Sequence, residues 1–179
     1  MGVETIKDEA KKSIAELLNK SLQIEYDFLF GYPRVIDKLV NIDKIHDEQL
    51  IENIELVVKE SLLHFDEIDR LIRKCGCETI WHINVVGWSV DVEEMLLQLR
   101  DKENWVISWY RQAKRVAEQN KVKASGLLSR LTGSANILPE DFIDVNELIS
   151  MLDRHIADEE KHIRLCDDSV NRLSLLKNK

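Results

Sequence analysis

The sequence predicts an all-α fold, an antiparallel four-helix bundle with a long crossover between helices two and three. Three observations lead there. Four long segments repeat apolar residues every three or four positions, the spacing of one helix face. Only 2 prolines and 6 glycines interrupt the 179 residues, too few for a fold of many tight turns. Two of the four segments open on an Asp-x-x-Glu pattern, which caps a helix N-terminus. With 44% apolar and 32% charged residues, the chain reads as one globular domain over 1–179.

The first helix is expected over 4–31, on Ile14, Leu17, Leu18, Leu22, Phe28 and Leu29, with Gly31 and Pro33 breaking or kinking it. The second spans 47–74 on Leu50, Ile54, Val57, Val58, Leu62, Ile68 and Leu71, and Gly76 stops it. The third starts at the cap Asp91-Val92-Glu93-Glu94 and runs through Leu96, Leu99, Val106, Ile107 and Tyr110 to 119. The fourth starts at Asp144-Val145-Asn146-Glu147 and runs through Leu148, Leu152, Ile156 and Leu165 to 175. Helices of this length reach ~42 Å.

Two linkers differ in kind. Residues 76–90 carry two tryptophans and few charges. Extended at roughly 3.3 Å per residue, they can cross the length of a bundle, which lets helices two and three run parallel. Residues 120–143 are polar, with a short helix expected around 127–131.

Composition excludes some functions. A formal charge of −8 opposes binding to nucleic acid or to an anionic membrane surface. No apolar run is long enough to span a bilayer, and the first residues hold no signal-peptide core. Cys75, Cys77 and Cys166 make no disulfide framework, so a cytoplasmic protein is expected. Cys75-Gly76-Cys77 lacks the second pair that a four-cysteine metal site needs.

The informative residues interrupt the apolar stripes. Helix one reads Leu18, Ser21, Glu25, Phe28, Tyr32, and helix two Ile54, Val57, Ser61, His64, Ile68. Helix three reads Leu96, Leu99, Glu103, Val106, Tyr110, and helix four Leu148, Leu152, His155, Glu159, His162, Cys166. Every helix therefore carries an ionisable group near its middle, on the face that must be buried. Singly, each has a plain structural reading: a hydrogen-bonded core histidine, or a glutamate reaching for solvent. The tyrosines Tyr26, Tyr32 and Tyr110 read as packing residues that also hydrogen-bond. Jointly, the carboxylates and imidazoles would cost several kcal/mol per unpaired charge. A metal ion compensates most simply, because carboxylate and neutral imidazole are its ligands. Glu159-Glu160-Lys161-His162 has the Glu-x-x-His spacing that puts both side chains on one face.

These stretches resemble the ferritin-like superfamily, specifically rubrerythrin-type di-iron bundles, over most of the chain. The resemblance rests on LNKSLQIEYDFLFGYPR around Glu25, HFDEIDRLIRKCG from His64, ENWVISWYR from Glu103 and DRHIADEEKHI around Glu159 and His162. It implies a ferritin-like bundle in which Glu25, His64, Glu103, Glu159 and His162 hold one or two iron ions, or another divalent metal. It implies oxidase, peroxidase or iron-handling chemistry, with peroxide or dioxygen as oxidant, a separate electron donor, and assembly with further copies of the chain. No rubredoxin module accompanies it.

One position departs from that pattern. Three residues before His64 the family has Glu, and here stands Ser61. Two ferrous ions bring four positive charges, and three glutamates return three. His155 is the best replacement ligand, Glu67 could swing in, and Glu60 is expected on the surface. A two-metal, one-metal or empty site all fit the sequence. The alternative is a bundle without metal, acting as an interaction or small-molecule-binding module.

Overall fold

The computed structural model describes residues 4–82, 89, 91–123 and 142–177. Strand β1 (Glu4–Ile6) leads into α1 (Asp8–Asp37), which ends in a π-helical turn over Lys38–Ile42. Helix α2 (Glu48–Lys74), α3 (Val92–Gln119), strand β2 (Lys121–Lys123) and α4 (Val145–Lys177) follow. The expected short helix around 127–131 lies outside the described residues.

Ion pairs fix the directions of the helices. Arg172 and Lys177, at the end of α4, pair with Asp47 and Asp91, the residues that cap the starts of α2 and α3. Both helices therefore begin at the same end of the bundle and run parallel. Lys114–Asp153 (2.6 Å) and Arg100–Asp167 (3.2 Å) set α3 antiparallel to α4. Of the crossover expected over 76–90, residues 76–82 and 89 are described. Gly76 takes φ +71°, and the amides of Gly76 and Cys77 return to the carbonyls of Arg73 and Ile72, closing α2. The chain then runs along α1. The Asn19 side chain accepts from the Ile80 amide (2.7 Å) and donates to the Glu78 carbonyl (3.2 Å). Gln23 does the same with both backbone groups of His82 (2.8 and 2.9 Å). Two side-chain amides thus satisfy an extended backbone that has no strand partner beside it.

Both predicted caps form. Asp91 accepts from the amides of Glu93 and Glu94, and Asp144 from those of Asn146 and Glu147. The α3 box closes indirectly: Glu94 accepts from the Ser89 hydroxyl, which accepts from the Asp91 amide.

Two features correct the sequence reading. Residues 4–6 are not helical; they pair antiparallel with β2, Thr5 opposite Val122, burying Ile6. This pairing joins chain segments too far apart for local pattern to reveal. Helix α1 also continues through Gly31 and Pro33 to Asp37. Proline inside a helix costs about 3 kcal/mol. Tyr32, Val35 and Leu39, all fully buried, each regain about 1.5–3 kcal/mol, so continuation wins.

The core runs the length of the bundle, with Leu18, Leu22, Leu50, Leu99 and Leu152 inaccessible to solvent. No helix among the described residues is long and apolar enough to cross a membrane. Leu18→Ala is expected to lower unfolding stability by about 2–5 kcal/mol, from lost burial and the cavity left. Leu62→Ala, at a side chain 53% exposed, should change it by less than about 0.5 kcal/mol. Urea unfolding midpoints of the two variants measure the difference.

Candidate metal centre

Parallel α2 and α3 make the bundle two similar halves, α1–α2 and α3–α4. The two halves place matching positions at the same depth, with Ser61 in one where Glu159 stands in the other. Glu25 and Tyr32 of α1 match Glu103 and Tyr110 of α3. Glu60, Ser61 and His64 of α2 match Asp158, Glu159 and His162 of α4. Of these, Glu25, Glu103, Glu159 and His162 are fully buried, and His64 is 3% exposed.

Glu159 lies at the centre. Its two carboxylate oxygens face the Nδ1 atoms of His64 (2.9 Å) and His162 (2.8 Å). Glu25 Oε1 is 3.5 Å from His64 Nδ1, and Glu103 Oε1 is 3.4 Å from His162 Nδ1. Two three-residue groups result, Glu25–His64–Glu159 and Glu103–Glu159–His162, each offering ligand atoms within 4.8 Å of one another. Glu159 belongs to both.

The rings are held from outside. His64 Nε2 is 3.2 Å from Asp158 on α4, and His162 Nε2 is 2.9 Å from Glu60 on α2. Such outer carboxylates fix the ring and leave Nδ1 for the centre. The tyrosines cross between halves: Tyr110 donates to Glu25 (3.0 Å) and Tyr32 to Glu103 (3.4 Å). Burial and the facing carboxylates push both phenols well above their ordinary range, so they stay donors.

Without a cation the cluster settles by moving protons. Burial and the Glu159 charge raise Glu25 from 4.5 to about 7, and raise Glu103 well above its ordinary value. Burial opposes ionisation of Glu159, but the hydrogen bond from His162 and the close charge of His64 outweigh it and hold this carboxylate well below its ordinary range. Burial disfavours the imidazolium of His64, yet Glu159 and Glu25 lift it to about 11; His162 shifts the same way. One ionised carboxylate therefore sits between two protonated imidazoles and two neutral carboxyls. Glu25 Oε2 and Glu103 Oε2 accept no hydrogen bond among the described residues. Buried carboxylates gathered with inward-facing Nδ1 atoms are a donor set that fits a divalent transition-metal ion.

The remaining candidates fall beside the centre. His155 is buried and stacks on His64 (ring centroids 4.2 Å), but its Nε2 faces Glu67 (2.7 Å) and it joins neither group. Burial and the neighbouring His64 lower it to about 4, so its ring is neutral. Glu67 does not swing inward; Arg154 and His155 hold it. Glu60 corrects the surface role expected of it, because its carboxylate reaches His162 across the bundle. Asp158 was not singled out at all. The available signal was an acidic residue four positions before each histidine, repeated on α2 and α4. Cys166 packs with its sulfur 3.9 Å from the Tyr32 hydroxyl, and burial lifts the thiol to about 12. Tyr26 is not at the centre; it packs with Phe30, Phe65 and Trp81.

The sequence matches no protein-family model and no curated protein. Among solved structures it is similar to one titled "Crystal structure of ferritin like, diiron-carboxylate proteins from Bacillus anthracis str. Ames". The TM-score is 0.66 at 22% identity, covering 90% of this chain and 97% of that one. The fold is ferritin-like.

The proton positions give a stability test on the metal-free protein. Glu25 ionises near 4.5 when unfolded and at about 7 when folded, so its contribution is complete below 4.5 and lost as the pH rises through about 7. Glu103 and His64, also raised, act in the same direction, while His155, lowered from 6.5 to about 4, opposes them between those two values, so the comparison with Glu25→Gln isolates the Glu25 share. The Glu25 share alone is about 3 kcal/mol. The urea midpoint of metal-free protein should fall from about pH 5 to about pH 8, and Glu25→Gln should flatten the fall. Equal slopes for the two proteins would contradict the assignment.

Proposed function

We propose that this chain is a non-haem iron protein with a carboxylate- and histidine-bound centre of rubrerythrin type, performing oxidase, peroxidase or iron-handling redox chemistry. One observation carries the proposal. Two buried ligand groups share Glu159, and both histidines turn Nδ1 inward while outer carboxylates hold Nε2. Buried ion pairs without metal also occur, but they do not need buried carboxylate oxygens left without a hydrogen-bond partner, as Glu25 Oε2 and Glu103 Oε2 are among the described residues.

Glu25, His64 and Glu159 would hold one ion, and Glu103, Glu159 and His162 the other. Bound iron supplies one-electron redox chemistry toward peroxide or dioxygen, with electrons from a separate donor. The chain supplies the rest. Glu25 and Glu103 give up protons when a cation arrives, and the histidines give up theirs from Nδ1. Tyr32 and Tyr110 orient the two outer glutamates by donating to Oε1 of each, and Oε2 of each accepts no hydrogen bond among the described residues. Asp158 and Glu60 keep the rings from turning. Apolar layers on both sides, including Phe28 and Val106, keep bulk water out.

The second reading, a bundle without metal, is favoured by Ser61, where a fourth carboxylate would complete the charge balance. Iron retention decides between them. Metal-free protein is loaded with iron(II) under inert gas, desalted and assayed for iron. Wild type should retain iron, up to two ions per chain. Glu159→Ala should retain none, because both groups lose a ligand. Glu103→Ala should keep the Glu25–His64–Glu159 ion. Wild type that retains no iron, or loses it equally in every variant, would support the metal-free bundle.

A further inference from the structure

We infer that the Ser61 position is a binding site for a small carboxylate of formate size, which supplies the fourth negative charge of the centre. The inference rests on the iron-centre reading above and names a ligand for it.

The relation between the two halves carries the argument. Ser61 on α2 matches Glu159 on α4, and each precedes its histidine by one turn. Where α4 places a carboxylate between two imidazoles, α2 offers only a hydroxyl. Ser61 is fully buried, and its Oγ has no hydrogen-bond partner among the described residues. Buried helical serines ordinarily donate to the carbonyl one turn back, as Ser21 does to Leu17 (3.3 Å). Ser61 makes no such bond. A hydroxyl left as an unused donor in a charged core calls for an acceptor oxygen.

Size and charge narrow the acceptor. Serine is shorter than glutamate by about one carboxylate group, and it lacks that group's charge. No neighbouring side chain is free to replace it. Glu60 is held by Lys161 (2.7 and 3.0 Å) and His162, and Glu67 by Arg154 and His155. Two divalent cations facing three carboxylates would leave one positive charge uncompensated in a buried site, where that is costly. A planar monoanion of formate size restores both the charge and the lost atoms. A tetrahedral anion such as phosphate carries more atoms than the difference between the serine and glutamate side chains.

The test uses metal-free protein reloaded with cobalt(II), whose visible bands report its ligands, in carboxylate-free buffer under inert gas. Sodium formate is then titrated in. In wild type, formate should shift the bands and tighten the weaker cobalt ion by about tenfold or more; phosphate should do neither. Ser61→Glu should bind two cobalt ions without formate and show no response to it. Ser61→Ala keeps the space but loses the donor, so its affinity for formate should fall several-fold. Equal cobalt binding by wild type with and without formate overturns the carboxylate site and leaves the metal centre standing. Identical formate responses in wild type and Ser61→Ala, or a response that persists in Ser61→Glu, also overturn it. Absence of cobalt binding in wild type and both variants overturns the metal centre and the inference together.

Discussion

The placement of Glu159 between two imidazoles is the interaction on which the rest of the centre depends. A fully buried carboxylate is among the costliest groups to leave ionised. Here it stays ionised because His64 and His162 approach both of its oxygens. That arrangement then decides its neighbours. Glu25 and Glu103 face a charge of like sign and are driven towards their neutral forms. The imidazoles need outer partners for Nε2, and Asp158 and Glu60 provide them. A cation placed in the same space would displace protons from Glu25, Glu103, His64 and His162, while Glu159 is already ionised.

The fold makes this geometry possible. A simple up-down-up-down bundle would set α2 and α3 antiparallel. The crossover reverses that, and the halves α1–α2 and α3–α4 come to face each other with matched depth. Equivalent residues then meet across the centre: each tyrosine reaches the other half's glutamate, and each outer acid reaches the other half's histidine. The helices are long enough for leucine layers at both ends to carry stability while the middle carries the buried carboxylates and imidazoles. The anchoring of residues 78–82 by Asn19 and Gln23 is what holds the crossover against α1.

Much of this was legible because helices repeat on a short period. The apolar stripes placed four helices, and the polar residues interrupting them marked Glu25, His64, Glu103, Glu159 and His162 as residues of one layer. The caps at Asp91 and Asp144 were local patterns and formed as written. What escaped was non-local. The β1–β2 pairing joins segments at opposite ends of the α1-to-α3 stretch, and three residues carry too little pattern to announce it. The local penalty of Pro33 is outweighed by the burial of Val35 and Leu39 beyond it, which local pattern does not reveal. Glu60 and Asp158 look like surface residues on a helical wheel, since they lie one position off the buried stripe. Only the closeness of α2 and α4 lets their long or well-placed carboxylates reach the opposite ring.

The central claim is that a buried, shared carboxylate organises a metal centre. Anomalous diffraction at the iron edge, from crystals of protein loaded with iron(II) under inert gas, tests it most directly. The account predicts anomalous density at the Glu159 carboxylate, one peak on the His64 and Glu25 side and a second on the His162 and Glu103 side wherever both positions fill. Crystals that carry iron elsewhere, or none within ligand distance of Glu159, would contradict it.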